Sequence, residues 1–232
     1  MMECLDCHST HIRKNGKRRG KQNHICVECK RQFLDRLKCL MYTWLSEKIE
    51  QAQKILKAQN IQLGFKFNSP ATQGEIQRCE EELGFILPDS YKEFLKFSNG
   101  ANIFCIDQPR FEITQATPWW ADSGILIQST SAIVPFNQEQ DEVYVEDDGE
   151  KKYIAFCYLG YICTGDFCSF DLTTYADSEY KVLDSQHDYM FEEWQAEHII
   201  ANSFEDWLIK IFDEVIQNNR RPEYWIPSPL QG

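Results

Sequence analysis

Cysteines 4, 7, 26 and 29 form two Cys-x-x-Cys pairs, CLDC and CVEC, separated by 18 residues. No other feature limits the possible folds of this end of the chain so tightly. A segment this short cannot bury a core of its own, so it needs a cross-link or a ligand to order it. Each Cys-x-x-Cys turn carries two thiols. Two such turns, joined by a hairpin, complete the tetrahedral four-sulfur shell of a structural Zn2+ site. Metal binding would then supply the folding free energy. The expected ligands are Cys4, Cys7, Cys26 and Cys29; His8, His11 and His24 lie nearby as substitutes. A redox dithiol is the other chemistry open to a single pair, and two pairs at this spacing favour zinc.

Between the pairs, Asn15-Gly16 predicts a tight hairpin turn. Arg13, Lys14, Lys17, Arg18, Arg19 and Lys21 cluster around it. Cations on a ribbon loop suit phosphate contact, and hence weak DNA binding. The same cluster is equally consistent with a solvated basic loop that holds no ligand. Charge divides the chain sharply. Residues 1–38 hold ten Lys+Arg and four Asp+Glu, whereas the remainder holds 14 and 32, within a chain of net charge -12. Two modules with different partners follow from that asymmetry. The acidic module should repel nucleic acid and membrane surfaces and favour a basic partner; charge that serves solubility alone is the competing reading.

The run KNGKRRGKQNHICVECKRQF, with the CLDC pair before it, resembles the N-terminal zinc ribbon of InsA-type transposition proteins. In those proteins the ribbon precedes a helix-turn-helix that binds the ends of the element. Here nothing after Phe33 reads as a helix-turn-helix or as the catalytic carboxylate domain of a transposase. A DNA-binding regulator or transposon-derived protein remains the alternative that this resemblance implies.

A second unit is expected from about Met41. MYTWLSEKIEQAQKILKAQ carries Met41, Leu45, Ile49, Ala52 and Leu56 near a 3.6-residue period, predicting a helix over 41–59. NIQLGFKFNSPA reads as an extended connector. Thr72 and Glu75 form a capping box for a helix over 72–83, ended by Gly84. Pro88 suits the first turn of a third helix, with Tyr91, Phe94 and Leu95 as its apolar stripe and Asn99-Gly100 as its left-handed stop.

From residue 102 the period shortens. NIFCI, RFEI, GILIQ, AIVPF, EVYVE, KYIAFCYL and FCSFDL read as strands, with a charged hairpin around Asp148-Gly149. KVLDSQHD reads as one more strand, and Ser203 and Asp206 open a helix over 203–217. The expected class is α+β: N-terminal helices on a sheet with a C-terminal helix, preceded by a small zinc ribbon. The expected boundaries are 1–38 for the ribbon, 41–217 for the main domain and 218–232 for a Pro-containing tail.

The stretch EIQRCEEELGFILPDSYKEFLKFSNGANIF, followed by YLGYICTGDFCSFDL, VLDSQHD and SFEDWL, resembles the SUKH superfamily of Smi/Knr-like proteins. The resemblance spans about residues 41–216. It implies helices against a mixed sheet, and a non-enzymatic binding role: an immunity-type protein that neutralises a bacterial toxin, or an interaction scaffold. On this reading Leu83, Leu87, Tyr91, Phe94, Leu95, Asn99 and Gly100 are fold-determining residues.

Candidate partner contacts are Trp119 and Trp120, since exposed Trp favours interfaces, and the acidic Glu139, Asp141, Glu142, Glu146, Asp147 and Asp148. Burial of the two Trp and a merely solvated acidic hairpin are the competing readings. A basic toxin domain is the expected partner. His187 and His198 are the only histidines outside the ribbon, with no nucleophile–base pattern or phosphate loop, so no catalytic residue is assigned. No apolar run approaches the roughly 20 residues that span a bilayer, and the expected location is cytoplasmic.

Overall fold

The computed structural model describes residues 9–18, 21–30, 32–34, 42–61, 63–106, 124–144, 150–159 and 166–219. The chain divides into two compact units, Met1–Leu40 and Met41–Gly232.

The first unit is a three-stranded antiparallel sheet: β1 (Ile12–Arg18), β2 (Lys21–Cys26) and β3 (Gln32–Leu34), in that spatial order. The Asn15-Gly16 turn predicted from the sequence is not there. Lys14 pairs with His24 and Lys17 with Gln22, so β1 carries one extra residue at that point, and Gly16 sits at φ +70. A left-handed Gly serves a bulge as readily as a turn. Arg18 pairs with Lys21, and residues 19 and 20 lie outside the described residues.

The second unit is built on a seven-stranded sheet: β4 (Leu63–Phe67), β5 (Ala101–Ile106), β6 (Ile125–Ile127), β7 (Tyr153–Leu159), β8 (Phe167–Asp171), β9 (Val182–Ser185) and β10 (Ile199–Ala201). The strands lie side by side in chain order from one edge to the other. Every ladder is antiparallel, so the expected mixed sheet is corrected. A parallel pair needs a crossover that restores the strand direction. Here the helical excursions return the chain to the adjacent position in the opposite sense. The helices are α1 (Thr43–Ala58), α2 (Gln73–Leu83), α3 (Asp89–Phe97), α4 (Ile133–Tyr144), α5 (Phe191–Glu197) and α6 (Phe204–Asn218).

Helices cover both faces of the central strands, which is why YIAFCYL in β7 is apolar throughout and buried at every position. On one face α3 and α6 close an aromatic core. Phe156 stacks on Phe170 with ring centroids 4.3 Å apart, Trp207 meets Phe156 edge-on at 5.0 Å, and Phe204 lies 4.9 Å from Tyr91. The Tyr91 hydroxyl satisfies itself on the Gln128 carbonyl at 2.6 Å. On the other face Tyr153, Ala155, Phe167, Leu183, Phe191 and Trp194 pack together, with Phe136 of α4 and Ile199 of β10 against them.

Several local expectations hold. The Thr72–Glu75 capping box is formed, Gly84 ends α2 in the left-handed region, and Ser203 accepts from the Asp206 N–H. Others are corrected. AIVPF and the 142–144 part of EVYVE are not strands but lie in or against α4. Pro135 falls in the first helical turn, where no N–H is needed. Asn137 anchors the helix: its amide donates to the Ala155 carbonyl at 2.8 Å and accepts from the Ala155 N–H at 2.9 Å. That anchor sits where β7 bulges against β8, so tertiary contact overrides the β-branched composition. Part of the expected connector is β4, an outer strand of the sheet. α3 ends on an extended Ser98, and Gly100 has a different task. At φ +80 it brings the chain so close to the next strand that a Cβ would lie 2.9 Å from the Ile127 carbonyl. Neither α5 nor β10 was expected. RFEI, the Asp148-Gly149 tip and residues 220–232 lie outside the described residues.

Candidate functional site

In the first unit, Cys26 closes β2 and is buried, while Cys29 lies on the turn that follows and is exposed. Lys30 adopts φ +61 and donates its N–H to the Cys26 carbonyl at 3.0 Å; Val27 donates to the His11 carbonyl at 2.8 Å. One tight turn thus carries both thiols of a pair. Their soft-donor chemistry suits half of a zinc thiolate set. Cys4 and Cys7 lie outside the described residues, and among those described no three ligating side chains converge. Arg13 and Lys14 are exposed on β1, opposite Ile25 and His24. Lys17 and Arg18 end β1, Lys21 opens β2, and Arg19 is not described.

In the second unit, the acidic residues singled out from the sequence are divided. Glu139 and Glu142 are exposed on α4 beside Val143, which is 66% exposed. Asp141 turns inward and pairs with Lys151 at 2.6 Å, tying the end of α4 to the approach to β7. It is therefore a structural ion pair on a helix, not a hairpin carboxylate. Trp119, Trp120, Glu146, Asp147 and Asp148 lie outside the described residues.

The structure brings together a second surface that no sequence pattern marked. The turn between α2 and α3 lies against residues 175–180. Asp89 donates its N–H to the Ser178 carbonyl at 2.9 Å. Ser90 donates its N–H to Glu179 Oε1 at 2.7 Å and its hydroxyl to Oε2 at 2.6 Å. Burial pushes the Glu179 carboxyl above its usual range despite those two hydrogen bonds from Ser90. Asp177 and Ser178 are consecutive left-handed residues, at φ +51 and +66. Such backbone costs about 1–3 kcal/mol per residue and persists where its surroundings over-determine it. Ile86 (56% exposed) and Tyr175 (47%) project from this surface. The signal was absent from the sequence because Ala-Asp-Ser-Glu reads as an ordinary turn and a lone Ile beside Leu87 reads as core.

A polar cluster lies at the ends of β8 and β9. Asp166 Oδ1 accepts from the His187 N–H at 3.0 Å and meets His187 Nδ1 at 2.7 Å, and Asp188 lies 3.3 Å from the other ring nitrogen. The Asp166 hydrogen bond holds the imidazole pKa above its ordinary value. His198 Nδ1 lies 3.9 Å from Asp184 Oδ2. Cys157, Cys168 and Asp184 are successive register partners across β7, β8 and β9, all buried. Burial raises Asp184 to about 6 and takes the Cys168 thiol well above its usual range. A thiol so buried is inert, not nucleophilic.

With this geometry in view, the comparisons place the chain in a class. Residues 70–210 match the SMI1 / KNR4 family (SUKH-1), and the chain belongs to that family. The match runs from the α2 cap to α6 and takes in both surfaces just described. A curated relative is the uncharacterized protein YnaB of Bacillus subtilis (strain 168), 34% identical over 77 residues, which are 33% of this chain and 41% of the relative. The chain thus spans about two-fifths of the length of that relative. The family suggests a protein-binding role of the immunity type. Among the described residues, no helix is long and apolar enough to cross a membrane.

Proposed function

We propose that this chain is an immunity-type protein whose second unit binds and neutralises a bacterial toxin domain of basic character. The observation that carries this reading is the family match over 70–210. The charge of the chain supports it: residues 39–232 hold 14 cations against 32 carboxylates, and complementary potential steers association with a basic partner. The test is recovery of the tagged full chain from its own cells, with and without nuclease. A stoichiometric basic polypeptide that survives nuclease, and whose toxicity the chain relieves on co-expression, is the expected result. Recovery of nucleic acid alone would overturn it.

The turn at Cys26–Lys30 favours a second reading for the first unit. On that reading Cys4, Cys7, Cys26 and Cys29 hold a structural Zn2+ in an InsA-like ribbon. The zinc orders the sheet, and Arg13, Lys14, Lys17, Arg18, Arg19 and Lys21 make weak, salt-sensitive contact with DNA phosphates. The ribbon is then a module joined upstream of an independent domain that starts near Met41. Elemental analysis should find one zinc per chain, lost in the Cys26→Ser, Cys29→Ser double variant. A metal-free, folded wild-type ribbon would refute this.

A further inference from the structure

The α2–α3 turn and the 175–180 loop form one face. Ile86 lines a shallow open depression together with Gln77, Glu80, Glu81, Gly84 and Phe85. Glu80 joins the two halves of the face. Its Oε1 accepts from the Leu87 N–H at 2.9 Å and meets the Lys92 ammonium at 3.5 Å. Tyr180 lies at the other half, its ring 4.7 Å from Tyr175. The two halves are tied by the Asp89 N–H on the Ser178 carbonyl at 2.9 Å and the Ser90 N–H on Glu179 at 2.7 Å. Ile86 and Tyr175 therefore flank a single charged seam.

That seam is acidic. Residues 77–92 and 174–181 hold six carboxylates and three cations. Glu81, Glu82, Asp89 and Asp177 are exposed. Lys92 is committed to Glu80 and to Asp89, at 3.5 and 3.0 Å, and Arg78 bonds back to the Gly74 carbonyl. Lys181 is the remaining exposed cation of these segments. The strained Asp177–Ser178 backbone is clamped to the start of α3 by the Glu179–Ser90 bonds, so Tyr175 stands on a pre-organised loop. Interface anchors combine these features: a large side chain on rigid backbone, with charge at the rim and apolar surface at the centre.

We propose that this face, with Ile86 and Tyr175 as anchors and Glu81, Glu82 and Asp177 as rim, is where the partner docks, through a Lys/Arg-bearing segment that also offers apolar side chains. This rests on the binding role proposed above and moves the contact away from the α4 carboxylates. α4 presents Glu139, Glu142 and Val143, but its Asp141 is already paired with Lys151.

The test is site-specific photo-crosslinking in the protein's own cells. Benzoylphenylalanine replaces Ile86, Tyr175, Val143 or Tyr189 one at a time in the full chain; all four side chains are exposed. Crosslinking from 86 and 175 to one discrete basic polypeptide, with little from 143 and 189, is expected. Ile86→Lys, at a position 56% exposed, should then cut recovery of that polypeptide at least tenfold, and Glu82→Gln with Asp177→Asn should weaken it further at low salt. Asn is chosen because it tolerates the left-handed backbone at 177. A basic polypeptide captured from 143 or 189 instead overturns this face and leaves the binding role standing. An acidic species, or a second copy of the chain, at 86 and 175 overturns the assigned partner chemistry. Crosslinks from none of the four positions overturn both proposals.

Discussion

Asp184 is a carboxylate held inside the sheet with little to compensate it. Gln186 donates to Oδ2 at 3.0 Å, while Oδ1 is buried and has no hydrogen-bond partner among the described residues. Burial lifts its pKa from 3.8 to about 6. The folded protein therefore binds a proton more tightly than the unfolded chain does. Stability is greatest where Asp184 is protonated in the native state. It falls as pH rises from about 4 through about 6, and stays lower at neutral pH. A shift of this size corresponds to about 3 kcal/mol at most. Asp184→Asn should raise the urea midpoint at pH 7, by about 1–3 kcal/mol of stability, and flatten the slope between pH 4 and 6. An unchanged slope would show that the carboxyl is solvated. The neighbouring His187 moves the opposite way in charge. Asp166→Ala removes the hydrogen bond and the charge that raise the imidazole, so its NMR titration midpoint should fall toward the ordinary value.

Among the elements, α2 and α4 show what could be read in advance. α2 was legible because its signals are local. Thr72 accepts the Glu75 N–H at 3.2 Å, Glu75 returns to the Thr72 N–H at 2.6 Å, and Gly84 takes φ +76. Thr72→Ala should cost about 1 kcal/mol, read as a lower urea midpoint with an unchanged slope. α4 was misread because what holds it is not local. Ile133 and Val134 suit a strand, and the Ala155 backbone, 18 residues further on, holds Asn137 from outside the helix. Asn137→Leu keeps the bulk but strands both backbone groups, so a loss of about 1–3 kcal/mol or more is expected. A neutral result would mean that the bulge, and not the amide, positions the helix. The binding face was illegible for the same reason. Ile86 and Tyr175 are 89 residues apart in the chain, and their segments are joined by the Asp89–Ser178 and Ser90–Glu179 hydrogen bonds. The thiol pairs and the capped helices, by contrast, announce themselves in a few residues each.

At the scale of the whole molecule, the two units differ in what holds each of them together. The second unit has its own two-sided aromatic core, with Phe156, Phe170, Trp194 and Trp207 fully buried. The first unit is a small three-stranded sheet, with Cys26 and His24 as its buried described residues. On the zinc reading proposed above, this small sheet owes its order to the metal. The two should therefore melt for different reasons. A strong chelator should abolish the first unit's amide dispersion while the far-ultraviolet signal of the second persists. A chain beginning at Met41 should show the same thermal transition as the second unit of the full protein, and should keep the partner's binding. Added zinc should restore the first unit without moving that transition. If chelation instead collapses the whole chain in one step, or if the chain from Met41 aggregates, the units are interdependent. The ribbon would then be part of the domain's folding and not a module joined to it. A fall in partner affinity without loss of folding would implicate Arg13, Lys14 and their neighbours in binding that partner.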